Sequence, residues 1–121
     1  MRKFKTGATR DSLDGKPQYH GYFSPVAFRL FGEYMLKHQR QADGTMRTCD
    51  NWKKGIDLPT YLDSLWRHFM DLWEIMEGGH PTDIKTGEPI DWKEAWGGLY
   101  FNLQGIAHEK SKAGNDLRPY G

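Results

Sequence analysis

Three stretches of this chain combine a helix-start signal with apolar residues at helical spacing, and they constrain the fold more than any other feature. The first begins at Ser24-Pro25, where serine can cap the helix and proline fits the first turn because that position needs no N–H donor. The second begins at Leu58-Pro59-Thr60, and the third begins at Asp91. No alternating apolar–polar run is long enough to predict a strand. The sequence therefore predicts an all-α chain with three main helices.

In each predicted helix the apolar positions recur every three or four residues. They are Ala27, Leu30, Phe31, Tyr34 and Met35 in the first helix; Leu62, Leu65, Trp66, Phe69, Met70, Trp73 and Met76 in the second; and Trp92, Ala95, Trp96, Leu99, Leu103 and Ile106 in the third. We expect the first helix to end near Gln41 and the second at Gly78-Gly79. Residues 1–23, rich in glycine, are predicted to form an irregular N-terminal arm, and residues 110–121 a flexible tail. All 121 residues are predicted to form a single domain.

Composition predicts a small core and excludes several classes of protein. The chain is 37% hydrophobic and 14% aromatic, which is too apolar for a disordered protein. Its mean hydropathy is nevertheless −0.81, so the core must rest on a few large side chains, and oligomerisation would bury more surface. The net charge of +1 argues against a dedicated nucleic-acid binder. A single cysteine fits a reducing cytoplasm. No apolar run reaches membrane-spanning length and no signal-peptide core follows Met1, so we expect a cytoplasmic protein that does not bind membranes.

Four short motifs occur in a fixed order along the chain, and their order and spacing are more specific than any one of them. They are TGATRD at 6–11, GKPQY at 15–19, DNWKKG at 50–55 and LWRHFMD at 65–71. Together they resemble the phage-associated dATP/dGTP diphosphohydrolase family, a MazG-like branch of the all-α nucleoside triphosphate pyrophosphatases. The resemblance covers the chain from about Phe4 to about His108.

This resemblance implies a fold, an activity and a cofactor. The fold is a MazG-like helical bundle that oligomerisation completes, as a homodimer or homotetramer. The activity is hydrolysis of a purine (deoxy)nucleoside triphosphate (dGTP, GTP or dATP) to the monophosphate and pyrophosphate, in phage nucleotide-pool or modified-DNA metabolism and thus in the host cytoplasm. Two or more Mg²⁺ or Mn²⁺ ions per site are expected, because hard divalent ions held by carboxylates neutralise a triphosphate.

Glu33 is the first predicted metal ligand and catalytic residue. It takes the place of the glutamate on the first helix of these pyrophosphatases, and the preceding Gly32 would leave room for a phosphate. Its alternative role is that of an exposed acid paired with Lys37 at i+4. The wider MazG pattern is E-x-x-E, and the position three after Glu33 is Leu36. The chain therefore lacks the full carboxylate pair of the first helix.

The second helix carries a polar stripe between aromatic residues. By the i, i+3, i+4 rule it consists of Ser64, Arg67, His68, Asp71 and Glu74. Asp71 is predicted to ligate metal, and Arg67 to hold a phosphate oxygen through its fork of donors. His68 could ligate a metal, accept a proton or orient Asp71. Its alternative role is that of a boundary histidine bonded to a backbone or carboxylate partner.

The third helix offers Glu94 and Asn102. Asp91 and Glu94 form a capping-box-like pair, which alone could explain both acids. However, Glu94, Gly98 and Asn102 lie on one stripe, so we predict Glu94 as a catalytic residue and metal ligand. Asn102 is flanked by apolar residues, and we predict that it is buried, in contact with either a metal ligand or the nucleotide.

The arm and the 49–55 loop are predicted to complete substrate binding. Cations on turning backbone suit triphosphate oxygens, an aromatic ring can stack on a base, and an NW-x-KG match selects part of the loop. The predicted substrate-binding residues of these segments are Arg10, Lys16, Asn51, Trp52 and Lys54, with Tyr19 as an alternative stacking residue. A structural role for each aromatic ring and a solvated role for each lysine remain the alternatives.

Other chemistries lack their signatures. There is no nucleophile elbow, no Cys/His cluster for zinc and no consecutive His-Asp pair, and Cys49 lies in a loop beside Asp50 without a helical His partner nearby. Two non-enzymatic hypotheses stay open. One is a catalytically silent helical module that binds a nucleotide or a protein, which the incomplete E-x-x-E supports. The other is a single-strand binder that stacks bases on tryptophan, which the balanced charge disfavours.

Overall fold

The computed structural model describes residues 1–113, and most of these are helical. In chain order the elements are β1 (Arg2–Lys3), β2 (Thr9–Arg10), α1 (Tyr19–Tyr22), α2 (Pro25–Gln39), a 3-10 turn (Asn51–Lys54), α3 (Leu58–Met76) and α4 (Trp92–Ala113). The three long helices, α2, α3 and α4, are those that the sequence predicts. The helical character of the chain and its three main helices are therefore confirmed.

Side-chain caps begin all three long helices. Ser24, Asp57 and Asp91 each accept a hydrogen bond from the backbone N–H three residues later, at 3.2, 2.9 and 2.8 Å. Proline follows within the first turn of both α2 and α3, where its missing N–H costs nothing. The helix starts therefore follow from local sequence chemistry.

One predicted segment boundary is wrong. The end of α2 is not the one in error, because the helix stops at Gln39, close to the predicted end near Gln41. α4 continues to Ala113, so the first part of the predicted tail from Lys110 is helical, and an ion pair of 3.2 Å between Lys112 and Glu109 supports this last stretch. The rest of the predicted tail, residues 114–121, lies outside the described residues.

The N-terminal arm contains a hairpin, so the prediction of no strand is also wrong. β1 and β2 pair antiparallel, with Arg2 opposite Arg10 and Lys3 opposite Thr9. Gly7, at φ +90°, makes the turn that joins them. Each strand has two residues, which is too short for alternation to be visible in the sequence. The short helix α1 follows before α2.

α4 packs against both of the other long helices. It contacts α3 along most of its length and α2 over a shorter stretch. Gly98 and Gly105 permit the close approach of α4 to α3. A Cβ on Gly98 would overlap the ring of His68, and a Cβ on Gly105 would overlap the ring of Tyr61. Tyr61, which is 1% exposed, packs against α4 near Gly105. His68, further along α3, packs against α4 near the earlier Gly98, so α3 and α4 run antiparallel.

A large part of the apolar surface is not buried. Among residues 1–113 the fully buried hydrophobic side chains are those of Tyr61 and Ala95. Six large apolar side chains on α3 are between 39% and 75% exposed, and we call them the α3 apolar stripe: Leu62, Trp66, Phe69, Met70, Trp73 and Met76. Six of the seven apolar positions predicted for this helix therefore face solvent, and α4 instead meets Tyr61, Ser64 and His68. No helix among the described residues is long and apolar enough to cross a membrane.

Candidate functional site

A charged cluster joins α2 to the first turn of α4. Lys37 Nζ donates to Glu94 Oε2 at 2.9 Å, and His38 Nε2 donates to Glu94 Oε1 at 2.6 Å. The Glu94 side chain is 23% exposed. Burial alone would raise the pKa of Glu94, but the hydrogen bonds and charges of Lys37 and His38 outweigh burial and hold this pKa below its ordinary value. Glu94 is therefore an anion with both carboxylate oxygens engaged.

The start of α4 also resolves the capping-box question. Asp91 caps the helix by accepting the N–H of Glu94 at 2.8 Å. The Glu94 side chain does not return to the cap and bonds α2 instead. The capping explanation therefore holds for Asp91 and fails for Glu94.

His68 lies at the contact between α3 and α4, against the backbone of Gly98. Its Nδ1 is buried and has no hydrogen-bond partner within residues 1–113. Burial lowers the pKa of His68, and the negative charges of Asp71 and Glu94 oppose this shift without cancelling it. The imidazole is thus neutral near pH 7 and able to accept a proton.

Asp71 lies one turn after His68 on the same helix. Burial raises the pKa of Asp71, while the proximity of His68 lowers it in part. The positive charge of Arg67 adds a smaller contribution to the lowering of the His68 pKa. Arg67 and Asp71 thus neighbour His68 on α3, and His68 packs on Gly98, one turn after Glu94 on α4. Glu94 in turn bonds Lys37 and His38 of α2.

Glu33 does not join this group. It is exposed and has no hydrogen bond or ion pair with any described residue, whereas Lys37 and His38 turn towards α4. The predicted ligand set of Glu33, Asp71 and Glu94 is therefore not assembled in one chain. In residues 1–113 no three His, Cys, Asp or Glu side chains lie close enough to hold a metal ion.

Asn102 is buried, as predicted, at 3% exposure. Its Nδ2 donates to the carbonyl oxygen of Gly98 at 2.6 Å and to Ser64 Oγ at 3.1 Å. The first bond lies within α4, and the second crosses from α4 to α3. This geometry gives Asn102 a role in joining the two helices.

A cavity of ≈ 190 Å³ lies between the end of α2, the segment 47–56 and α4, and we call it the α2–loop cavity. Asn51 and Trp52, two predicted substrate-binding residues, line it. The Trp52 ring is fixed edge-on against the rings of Phe101 and His108, with centroids 6.2 and 4.8 Å away. His38 also lines this cavity, so one side chain borders both the cavity and the charged cluster.

The remaining predicted phosphate contacts lie apart from these groups. Arg10 is exposed in β2, and Lys54 is exposed at the end of the 3-10 turn. Lys16 lines a shallow groove formed entirely by arm residues. Tyr19, the alternative stacking residue, is exposed and meets Phe23 at a centroid distance of 6.3 Å. The structure does not bring any of these four side chains to the charged cluster.

Sequence reasoning missed His38 and Tyr34 and gave Lys37 a different partner. The alternative role of Glu33 would pair it with Lys37 at i+4, but Lys37 pairs with Glu94, 57 residues away. Burial and the Glu94 charge together raise the pKa of Tyr34 to about 12. Tyr34 was counted only as an apolar position, although its place one turn before His38 could have signalled a shared face of α2.

In comparisons with known proteins, no family model, no curated protein and no solved structure matches the chain.

Proposed function

We propose that this chain is a MazG-like pyrophosphohydrolase that cleaves purine (deoxy)nucleoside triphosphates to the monophosphate and pyrophosphate. It would act in the cytoplasm, and in the host cytoplasm if the chain is phage-encoded. One observation supports this more than any other. His68 of the α3 motif, next to Arg67 and Asp71 on that helix, packs against Gly98 of α4, one turn after Glu94. Their convergence is what a hydrolytic site on a helical scaffold requires.

The group supplies two kinds of chemistry that the reaction needs. Hydrolysis at the α-phosphorus requires cations near the phosphate oxygens and an acceptor for the proton of the attacking water. Lys37 and Arg67 are exposed cations at the edge of the group. His68 is neutral near pH 7, so it can take up a proton or orient Asp71, and it cannot serve as a phosphate-binding cation.

Dependence on Mg²⁺ or Mn²⁺ belongs to this proposal, but the residues of one chain do not fit such an ion. No three-ligand group occurs within residues 1–113, and both oxygens of Glu94 are bonded to α2.

A second copy of the chain is the partner that the surface area favours. A folded monomer of 14.1 kDa is expected to expose about 6,700 Å². This chain exposes 9901 Å². Even after the full extended-chain area of residues 114–121 is subtracted, the exposed area is about 2,000 Å² larger than that expected for a folded monomer. This is the scale of the area that an obligate homodimer buries at its interface.

The α3 apolar stripe is the natural interface of this homodimer or homotetramer. It carries no charge, so it is complementary to itself, and its burial would complete the helical bundle. Trp66→Lys should shift the protein towards monomer in light scattering. Ile84→Lys, at a side chain that is 97% exposed and outside the stripe, is the matched control and should not change the mass. A monomeric wild type at every protein concentration would contradict the interface.

The alternative is a catalytically silent helical module that binds a nucleotide or a protein. The observation in its favour is that Glu94 is held by Lys37 and His38, in a part of the chain that has no three-ligand group. Ligand binding that is indifferent to divalent ions would support this alternative.

The test of the proposed function is a pyrophosphate-release assay over the common ribo- and deoxyribonucleoside triphosphates, with Mg²⁺, with Mn²⁺ and with chelator. Metal-dependent release from dGTP, GTP or dATP is the expected result. Glu94→Gln should abolish it. Glu33→Gln is the informative comparison, because loss of activity there would require the second copy to bring Glu33 to the site. No turnover of any triphosphate would favour the silent module.

A further inference from the structure

We propose that the α2–loop cavity binds the purine ring of the substrate, with the sugar and phosphates directed towards the charged cluster. The proposal rests on the proposed function for the identity of the ligand. Its physical basis is the size, the walls and the position of the cavity.

The size of the cavity fits a ring system. Its volume is ≈ 190 Å³. Pockets that enclose a whole drug-sized ligand measure about 300–1,000 Å³. A complete nucleoside triphosphate therefore cannot enter, whereas a flat bicyclic base can, with the rest of the molecule outside.

The walls of the cavity suit a flat ring with polar edges. Tyr34, Trp52 and Phe101 supply aromatic surface on which a base can stack, whatever its identity, because every base has a π-face. Trp52 is fixed by its contacts with Phe101 and His108, so little ordering is needed when a ring binds. The Asn51 side chain also lines the cavity, and an amide presents both donors and an acceptor to a base edge.

The position of the cavity connects it to the predicted chemistry. His38 lies in its wall and donates a hydrogen bond to Glu94 at 2.6 Å. A base in the cavity thus lies one side chain away from Lys37 and Glu94. This arrangement separates recognition of the base from the residues that would act on the phosphates.

Cys49 provides a built-in probe, because it is exposed, lines the cavity and is the single cysteine of the chain. The rate of Cys49 alkylation by a bulky maleimide would be measured with deoxyguanosine, with deoxyadenosine and with tripolyphosphate. The nucleosides should slow labelling by about tenfold at ten times their dissociation constant, by mass action. Tripolyphosphate, which has no base, should leave the rate unchanged.

Variants locate the ring. Asn51→Ala should lose most of the protection by nucleosides. Met46→Ala, an exposed side chain of the same loop that does not line the cavity, is the matched control and should retain it. Circular dichroism of both variants shows whether they fold as the wild type does. Equal protection in both variants, no protection by either nucleoside, or equal protection by tripolyphosphate would overturn the proposal.

The two proposals fail separately because nucleosides have no phosphate to hydrolyse. Protection of Cys49 without turnover of any triphosphate would uphold the cavity as a base site and refute the enzyme. Turnover of a purine triphosphate without protection would uphold the enzyme and refute the cavity.

Discussion

Gly98→Ala should destabilise the protein because α4 approaches His68 closely at this point. A Cβ built on Gly98 would lie 2.5 Å from His68 Nδ1 and 2.6 Å from His68 Cγ. Such contacts are well inside van der Waals separation, and the atoms concerned include the base of the ring, so a simple rotation of its far end does not relieve them. Either His68 leaves its place beside Asp71 and Glu94, or α3 and α4 move apart.

The magnitude follows from two opposed terms. Replacing a helical glycine by alanine is worth about 0.5–1 kcal/mol in favour of the folded state. Overpacking of a fitted contact costs about 1–3 kcal/mol. Gly32→Ala in α2 isolates the first term, because nothing lies within 4 Å of the Cβ that it would add. Gly98→Ala should therefore be about 1–3 kcal/mol less stable than Gly32→Ala.

The assay is thermal and urea unfolding of both variants, followed by circular dichroism at one fixed protein concentration, since an oligomer makes stability depend on concentration. For a chain of this length, 1 kcal/mol corresponds to a Tm shift of about 3–6 °C. His68→Ala should relieve the clash, so the double variant should regain part of the loss. Gly98→Ala at least as stable as Gly32→Ala would refute the close packing of His68 on α4.

Two further predictions concern single polar groups. Because the pKa of Glu94 is lowered in the folded state, its stabilisation is complete above the unfolded pKa of about 4.3 and is lost as the pH falls through the lower folded value. Glu94→Gln should therefore be less stable than wild type at pH 7 by about 0.5–1.5 kcal/mol, and the two stabilities should converge in acid. A stability difference that stays constant from pH 7 into acid would contradict the ion pair. The buried Tyr61 hydroxyl has no hydrogen-bond partner in residues 1–113, so Tyr61→Phe should be neutral or stabilising by up to about 1 kcal/mol, whereas Tyr61→Ala should cost about 3–5 kcal/mol in urea unfolding. A large loss in Tyr61→Phe would mean that the hydroxyl is bonded.

The long helices could be predicted because their signals are local. Ser24 and Asp91 cap their helices through hydrogen bonds to an N–H three residues away, and the apolar spacing between caps specifies the rest. The hairpin of β1 and β2 could not be predicted, since two residues per strand are too few to alternate. The extension of α4 past Lys110 was missed because a charged segment without apolar spacing resembles a solvated tail.

The candidate site could be predicted only where one helix face carries it. The motif places Arg67, His68 and Asp71 near one another because α3 is helical, as predicted. The pairing of Glu94 with Lys37 and His38 joins residues 57 and 56 positions apart, and no periodicity reports which helices meet. The exposure of Glu33 could have been predicted. At 100° per residue Glu33 lies about 200° around α2 from the apolar Phe31, so the apolar spacing already places it on the opposite side of the helix.

The most direct test of the proposed activity is hydrolysis of dGTP or dATP by the wild type in ¹⁸O-water, followed by ³¹P NMR. Attack of water on the α-phosphorus predicts that the label enters the deoxynucleoside monophosphate and that the released pyrophosphate is unlabelled. Label in pyrophosphate, release of orthophosphate, or no turnover with either Mg²⁺ or Mn²⁺ would contradict the proposal that this chain is a nucleoside triphosphate pyrophosphohydrolase.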